Sequence, residues 1–283
     1  MNYKNLTKII ALKLLKDRAD NVFYGTLNLF LKKFSVKKNR KLIAHFAHHK
    51  CGTTWFHNSL NKIAKRFGLK YQRCTQKHLR NDTDVWLEWH SKVDFDILKP
   101  SVGSHMIRDP RDIIISAYFY HLWCDEKWCK IKKREYNNMS YQEYLNSVSQ
   151  EDGILIEMTN NLEDGNTSGS IIEDIARWNY FNPNIIELKY EKVINDQNTW
   201  FTMIFKKYGF NEKEIKTALK IVDKYSFQKR AKRDLGVEKR KSHFRKGTSG
   251  DWKNYFKELH KSEFKNQYGD ILIKLGYEKD NNW

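Results

Sequence analysis

Proline and glycine are both scarce, 3 and 13 among 283 residues, which excludes a collagen-like chain or a Pro/Gly-rich linker. Long apolar runs are missing too, since none approaches the ~20 residues that cross a bilayer. Cysteine occurs only as Cys51, Cys74, Cys124 and Cys129. That is too few for a disulfide framework, and no C-x-x-C pair marks a zinc site. His121 stands near Cys124 and Cys129 without ligand spacing, so no metal is expected. This cysteine usage fits a reducing compartment, and a cytoplasmic location is the expectation. Acidic residues are outnumbered: 34 Asp+Glu face 52 Lys+Arg, leaving a net charge of +18. Such a surplus points to an anionic partner: nucleic acid, a membrane surface, or a phosphorylated or sulfated small molecule.

Core-forming material is plentiful. Hydrophobic residues make up 40% of the chain, with 9 Trp, 15 Tyr and 16 Phe, so disorder is excluded. The spacing alternates strands with helices. Strands are expected at Lys41–Ala47, Tyr71–Cys74, Val85–Trp89, Val102–Ile107 and Asn184–Lys189. A helix is expected over Thr53–Phe67, stopped by Gly68, and another from Asp109-Pro110 to about Leu122. Capping-box pairs Ser140/Glu143, Ser170/Glu173 and Asn211/Glu214 mark further helix starts, and a helix from Asp196 to Tyr208 stops at Gly209. The order implies an α/β fold: a mainly parallel central sheet with helices on both faces, in three layers.

Residues 1–40 read as an N-terminal helical extension and 41–283 as one domain. The apolar cluster Ile9–Leu15 either packs on that domain or lies on anionic lipid as a basic amphipathic helix. Gln150–Gly169 reads as a polar surface loop. Half of Lys229–Lys246 is basic, which suits an anion-gripping cover over residues 229–250 or a solvated loop.

Three segments carry chemistry. His48-His49-Lys50-Cys51-Gly52-Thr53-Thr54-Trp55 joins the first strand to a helix, where backbone amides and the helix dipole favour phosphate. It is not a Walker A loop, because the Lys precedes the Gly. Arg108-Asp109-Pro110-Arg111-Asp112, leading to Ser116, starts at the carboxyl end of a strand, where α/β sheets bind ligands. Arg245-Lys246-Gly247-Thr248-Ser249-Gly250-Asp251-Trp252-Lys253-Asn254 sets two cations beside glycines that let a ligand approach the backbone.

In this order, with Tyr190-Glu191 and Ser226-Phe227 between them, these segments resemble the signature of sulfotransferases that use 3′-phosphoadenosine 5′-phosphosulfate (PAPS). The resemblance runs from about Leu42 to Phe256 and implies a P-loop-like strand–loop–helix. It implies transfer of a sulfuryl group from PAPS to a hydroxyl or amine of a small-molecule or glycan acceptor, leaving 3′-phosphoadenosine 5′-phosphate (PAP). By the same resemblance Lys50, Cys51, Gly52, Thr53 and Thr54 hold the 5′-phosphate, and Lys50 also neutralises the departing oxygen. Arg108, Ser116, Arg245, Lys246 and Gly247 hold the 3′-phosphate. Trp55 and Phe227 flank the adenine, with Tyr190 and Ser226 at its edge. The family's general base falls on His90, with His105 the alternative, and His48 or His49 could touch substrate.

The sequence departs from the family at Glu88, where a Lys is usual two before the base, and at Cys51, often Ser. A carboxylate at Glu88 is expected to raise the pKa of His90. The dimer motif is not reproduced after Lys253, so the oligomeric state stays open. Acceptor contacts are expected from Trp123–Tyr136 and Gln150–Gly169. A polyanion or nucleic-acid binder and a P-loop kinase are the rival readings.

Overall fold

A computed structural model of the chain describes residues 41–160 and 167–283. The extension expected over 1–40, with both readings of its apolar cluster, lies outside these residues. Five strands form one sheet: β1 (Leu42–Ala47), β2 (Tyr71–Arg73), β3 (Val85–Glu88), β4 (Ser101–Ile107) and β5 (Ile185–Lys189). Their order is β2-β3-β1-β4-β5, and every pair is parallel. All six residues of β1 are buried, as a strand covered on both faces must be, and its LIAHFA run is correspondingly apolar.

Chain order gives the sheet a switch point. From β1 the chain runs to β2 and β3 on one side, then crosses to β4 and β5 on the other. The loops after β1 and β4 therefore diverge and leave a crevice at the carboxyl edge. Arg108 follows β4 and donates from Nη1 to the Lys50 carbonyl across that crevice at 3.3 Å.

Helix α1 (Thr53–Phe67) buries Phe56, Leu60, Ile63 and Ala64, the stripe its spacing predicts. Gly68 ends it at φ 68°, with its N–H on the Ala64 carbonyl. Helix α2 (Pro110–His121) starts where Asp109 accepts from the Arg111 N–H and Pro110 takes the first position. Next come α3 (Tyr141–Ser147), with the expected capping box on Ser140, and α4 (Gln150–Thr159). The expected loop at Gln150–Gly169 is thus largely wrong. Ser149 caps α4 by accepting from the Asp152 N–H, and Gly153 lies so close to Tyr118 that a Cβ there would come within 2.5 Å of the ring. The following helix, α5 (Ser168–Arg177), begins ahead of the Ser170 start read from sequence.

Helices α6 (Tyr190–Asn195), α7 (Gln197–Lys207) and α8 (Glu212–Lys224) come after β5. Then follow α9 (Phe227–Ala231), α10 (Glu258–Tyr268) and α11 (Ile271–Lys274). Phe56 and Leu60 of α1 share a core with Phe201 and Phe205 of α7 and Val222 of α8. A second core joins α2 to α3, α4, α5, α10 and α11. The three-layer α/β architecture is as expected.

One buried acid ties four helices of the second core together. Glu157 on α4 accepts from His121 Nδ1, Tyr141 Oη and Ser168 Oγ, each at 2.7 Å. Burial alone pushes its carboxyl up; His121 and the hydrogen bonds from Ser168 and Tyr141 outweigh that and hold it below its usual value. Its contribution is therefore present above the unfolded-state pKa and lost as pH falls through the lower folded value. Glu157→Ala is expected to remove about 3–5 kcal/mol of stability, because it strands buried donors. Urea unfolding checks this, and a loss below about 1 kcal/mol would contradict the assignment.

Candidate active site

The loop after β1 is built by its own backbone. Both Cys51 N–H and Thr53 Oγ1 donate to the His48 carbonyl, at 3.1 and 2.8 Å. Lys50 and Gly52 adopt left-handed φ values of 64° and 80°. A Cβ on Gly52 would meet Met106 and the Tyr190 ring at 3.3–3.4 Å, so the glycine serves both conformation and space. Lys50 Nζ lies 3.8 Å from the Tyr120 ring centroid. Burial, then Arg108, depress its pKa to about 7, with Glu126 opposing them. Cys51 corrects the sequence reading. It is fully buried in the core, its N–H is already used, and it does not line the cavity.

The second and third segments are joined by one carboxylate. Asp112 accepts from the Gly250 and Trp252 N–H groups at 2.7 and 3.0 Å, and lies 3.7 Å from Arg108. Arg108 also donates to the Thr248 carbonyl at 3.2 Å and stacks 4.9 Å from the Tyr190 ring centroid. Its Nε is buried without a partner among the described residues. Arg245 is held by Glu238 and Asp251, and Lys246 by Asp251, each at 2.5 Å. Gly247 has φ 72°, and a Cβ there would lie 2.6 Å from the Phe227 ring.

These parts open onto one cavity of about 860 Å³ at the crevice. Lys50, Gly52, Thr53, Thr54 and Trp55 line it from the β1 loop and α1. Arg108, Ser116 and Tyr190 line it beside Ser226 and Phe227, and Arg245, Lys246 and Gly247 complete that wall. Apart from Cys51, every residue that the sequence assigned to the nucleotide is brought together here. So is His90.

The sulfotransferase domain family matches residues 105–276. The chain belongs to that family.

No curated protein matches the chain in sequence. Among solved structures, mouse sulfotransferase SULT7A1 complexed with PAP is 16% identical, with a TM-score of 0.55 over 85% of this chain and 86% of that one. Retinol dehydratase in complex with androsterone and the inactive cofactor PAP is also 16% identical, with a TM-score of 0.52 over 83% and 82%. At this identity the likeness is one of fold. As a PAPS-dependent sulfotransferase, the enzyme performs the sulfuryl transfer expected from its motifs, and the kinase and polyanion-binder readings fall away.

The histidines of the sulfotransferase separate into two groups. His105 is fully buried, its Nε2 on His48 Nε2 at 2.8 Å and its Nδ1 on Glu187 at 2.6 Å, and its ring stacks on Trp178. Neither His105 nor His48 lines the cavity. His90, His49 and His243 do. The His49 Nε2 is buried and unpartnered among the described residues.

The His90 pKa moves opposite to expectation, and Glu88 is not among the causes. Its Oε2 accepts from the backbone N–H groups of His90 and Lys92 at 2.9 and 3.0 Å, and burial lifts its own pKa to about 7. Burial, then Lys92, depress the His90 pKa to about 4. Of the two loops expected to supply acceptor contacts, Gln150–Gly169 contributes none among its described residues and Trp123–Tyr136 only Glu126. Glu126 is fixed by Tyr120 Oη at 2.8 Å and Trp128 Nε1 at 2.5 Å. Sequence reasoning also missed Arg73, Trp89, Tyr120 and His243 as lining residues. For Arg73 and Trp89 the available signal was their place at the ends of β2 and β3. Among the described residues no helix is long and apolar enough to cross a membrane.

Proposed function

We propose that Lys50, the backbone of Gly52, and Thr53 and Thr54 hold the 5′-phosphosulfate of PAPS at the start of α1. On this reading Arg108, Ser116, Arg245, Lys246 and Gly247 hold the 3′-phosphate. Trp55 and Phe227 flank the adenine, with Tyr190 and Ser226 at its edge. The observation that carries the reading is the convergence of these residues on one cavity. The pocket also suits an anion on its own chemistry: its cations are pre-positioned by Asp112, Glu238 and Asp251, and Arg108 keeps a buried Nε–H unused.

PAPS supplies the sulfuryl group. The bond between sulfur and the bridging oxygen breaks as a bond from sulfur to the acceptor oxygen or nitrogen forms, and PAP leaves with the electron pair. Lys50 stabilises the charge that develops on the bridging oxygen. His90, neutral above about pH 4, takes the acceptor proton. Positioning and charge stabilisation dominate in a loose transfer of this kind. The acceptor is a small molecule or a glycan.

The 3′-phosphate assignment has a direct test. Arg108→Ala and Arg245→Ala are each expected to weaken PAP roughly 10- to 150-fold, the loss of one charge-assisted contact. Affinity for adenosine 5′-phosphosulfate, which lacks the 3′-phosphate, should stay within about threefold of wild type. Calorimetric titration of both ligands reads this out. An equal loss for the two would assign these arginines to the fold, since each also holds a carboxylate.

A further inference from the structure

Two aromatic rings, Tyr120 and Trp89, gather the polar groups of the cavity. Lys50 feels Arg108 and Arg245 from the nucleotide segments, which lower its pKa, and Glu126, which opposes them. His90 feels Glu126, Lys92 and Arg73. Lys50 and Glu126 thus meet on Tyr120, whereas His90 and Arg73 meet on Trp89, and all of them line the one cavity.

Arg73 differs from the other arginines of the cavity. Arg108 and Arg245 are held by carboxylates, whereas Arg73 has no acidic partner among the described residues. Its guanidinium lies 5.0 Å from the ring centroid of Trp89, which also lines the cavity. Strand geometry puts the pair there: Arg73 ends β2, which pairs in parallel with β3, and Trp89-His90 follows β3 at the same edge. Lys92, the other cation near His90, lies 3.5 Å from Asp174. Arg73 is left as the cation on offer at that end.

We propose that the acceptor of this sulfotransferase carries an oxyanion, a carboxylate or a sulfate, which Arg73 binds while a flat ring of the acceptor rests on Trp89. The inference rests on the reading of Lys50 as the donor end. A guanidinium fork matches either oxyanion through two parallel hydrogen bonds, and the indole face supplies apolar contact without demanding one ring chemistry. His49, Glu126 and His243 surround the Tyr120 ring and His90 lies against Trp89, a polar lining that favours a hydroxyl-rich acceptor over a long apolar one.

Matched acceptors with labelled PAPS decide the matter. Phenyl β-glucuronide is compared with phenyl β-glucoside and its 6-sulfate, and 4-hydroxybenzoate with 4-hydroxybenzyl alcohol. Wild type is expected to favour the anionic members by roughly tenfold in kcat/KM, an exposed charge-assisted contact being worth less than a buried one. Arg73→Ala should abolish that preference through KM, with kcat and PAP affinity within about threefold of wild type. Arg73→Glu should favour the neutral members. The glucuronide and the 6-sulfate arms tell carboxylate from sulfate. Equal use of neutral and anionic members by wild type overturns the proposal, as does an Arg73→Ala loss shared by both. Failure to sulfate any member while PAP still binds also overturns it and leaves the donor reading standing. Failure of wild type to bind PAP would count against the donor reading instead.

Discussion

Lys50→Ala is expected to lower turnover at least ~100-fold, the usual loss when one preorganised charge-stabilising donor is removed. PAP affinity should fall by a smaller factor, because Arg108, Arg245 and Lys246 remain. The depressed pKa of Lys50 adds a pH signature. With its pKa near 7 in the donor-free protein, Lys50 loses its charge above that pH. An anionic ligand beside it favours the charged form, so PAP binding there takes up a proton. Wild-type PAP affinity should therefore weaken by roughly tenfold per pH unit just above 7, and Lys50→Ala should flatten that slope. Steady-state rates and PAP titrations between pH 6 and 9 measure both effects. Turnover within threefold of wild type would remove Lys50 from the leaving oxygen.

His90→Ala carries the second large effect. General-base catalysis contributes ~10²–10⁴-fold, so the variant should lose that much turnover and still bind PAP. The sign of the pH dependence follows from burial. A base with its pKa near 4 is already neutral above pH 5, so the rate should not rise through pH 6.5 as an unperturbed histidine would require. Glu88→Gln should leave that profile nearly unchanged, because the Glu88 carboxylate holds backbone N–H groups of the turn and not the imidazole. His105→Ala tests the alternative. If it lost the rate while His90→Ala kept it, the base would have to be reassigned, although His105 is sealed behind His48 and Trp178.

Much of this was legible in the sequence where local chemistry and tertiary packing agree. The apolar run of β1, the stripe and terminal glycine of α1, and the Asp109-Pro110 start of α2 each fixed an element before its neighbours were known. Helix α4 was not legible, since Gly153 and a polar first turn read as loop. That glycine is required by the Tyr118 ring, a tertiary cause. The residues proposed to hold the nucleotide could be grouped from sequence because they sit in contiguous segments, and they line one cavity. The role of Cys51 was overread, because adjacency in a loop does not say which way a side chain points. Arg73 and His243 come from distant parts of the chain and line one cavity only through the fold. Whether Glu88 acts on the His90 ring depended on which hydrogen its carboxylate finds, and only the folded turn shows that it finds backbone N–H groups.

The central claim is that this cavity recognises a 3′-phosphorylated adenine nucleotide. Parallel calorimetric titration of PAP and ATP against the whole chain at pH 7 tests it most directly. The account predicts that PAP binds at least roughly 100-fold more tightly than ATP, because ATP leaves the Arg108, Arg245 and Lys246 contacts unmade. Equal affinity for the two, or no binding of PAP, would contradict it.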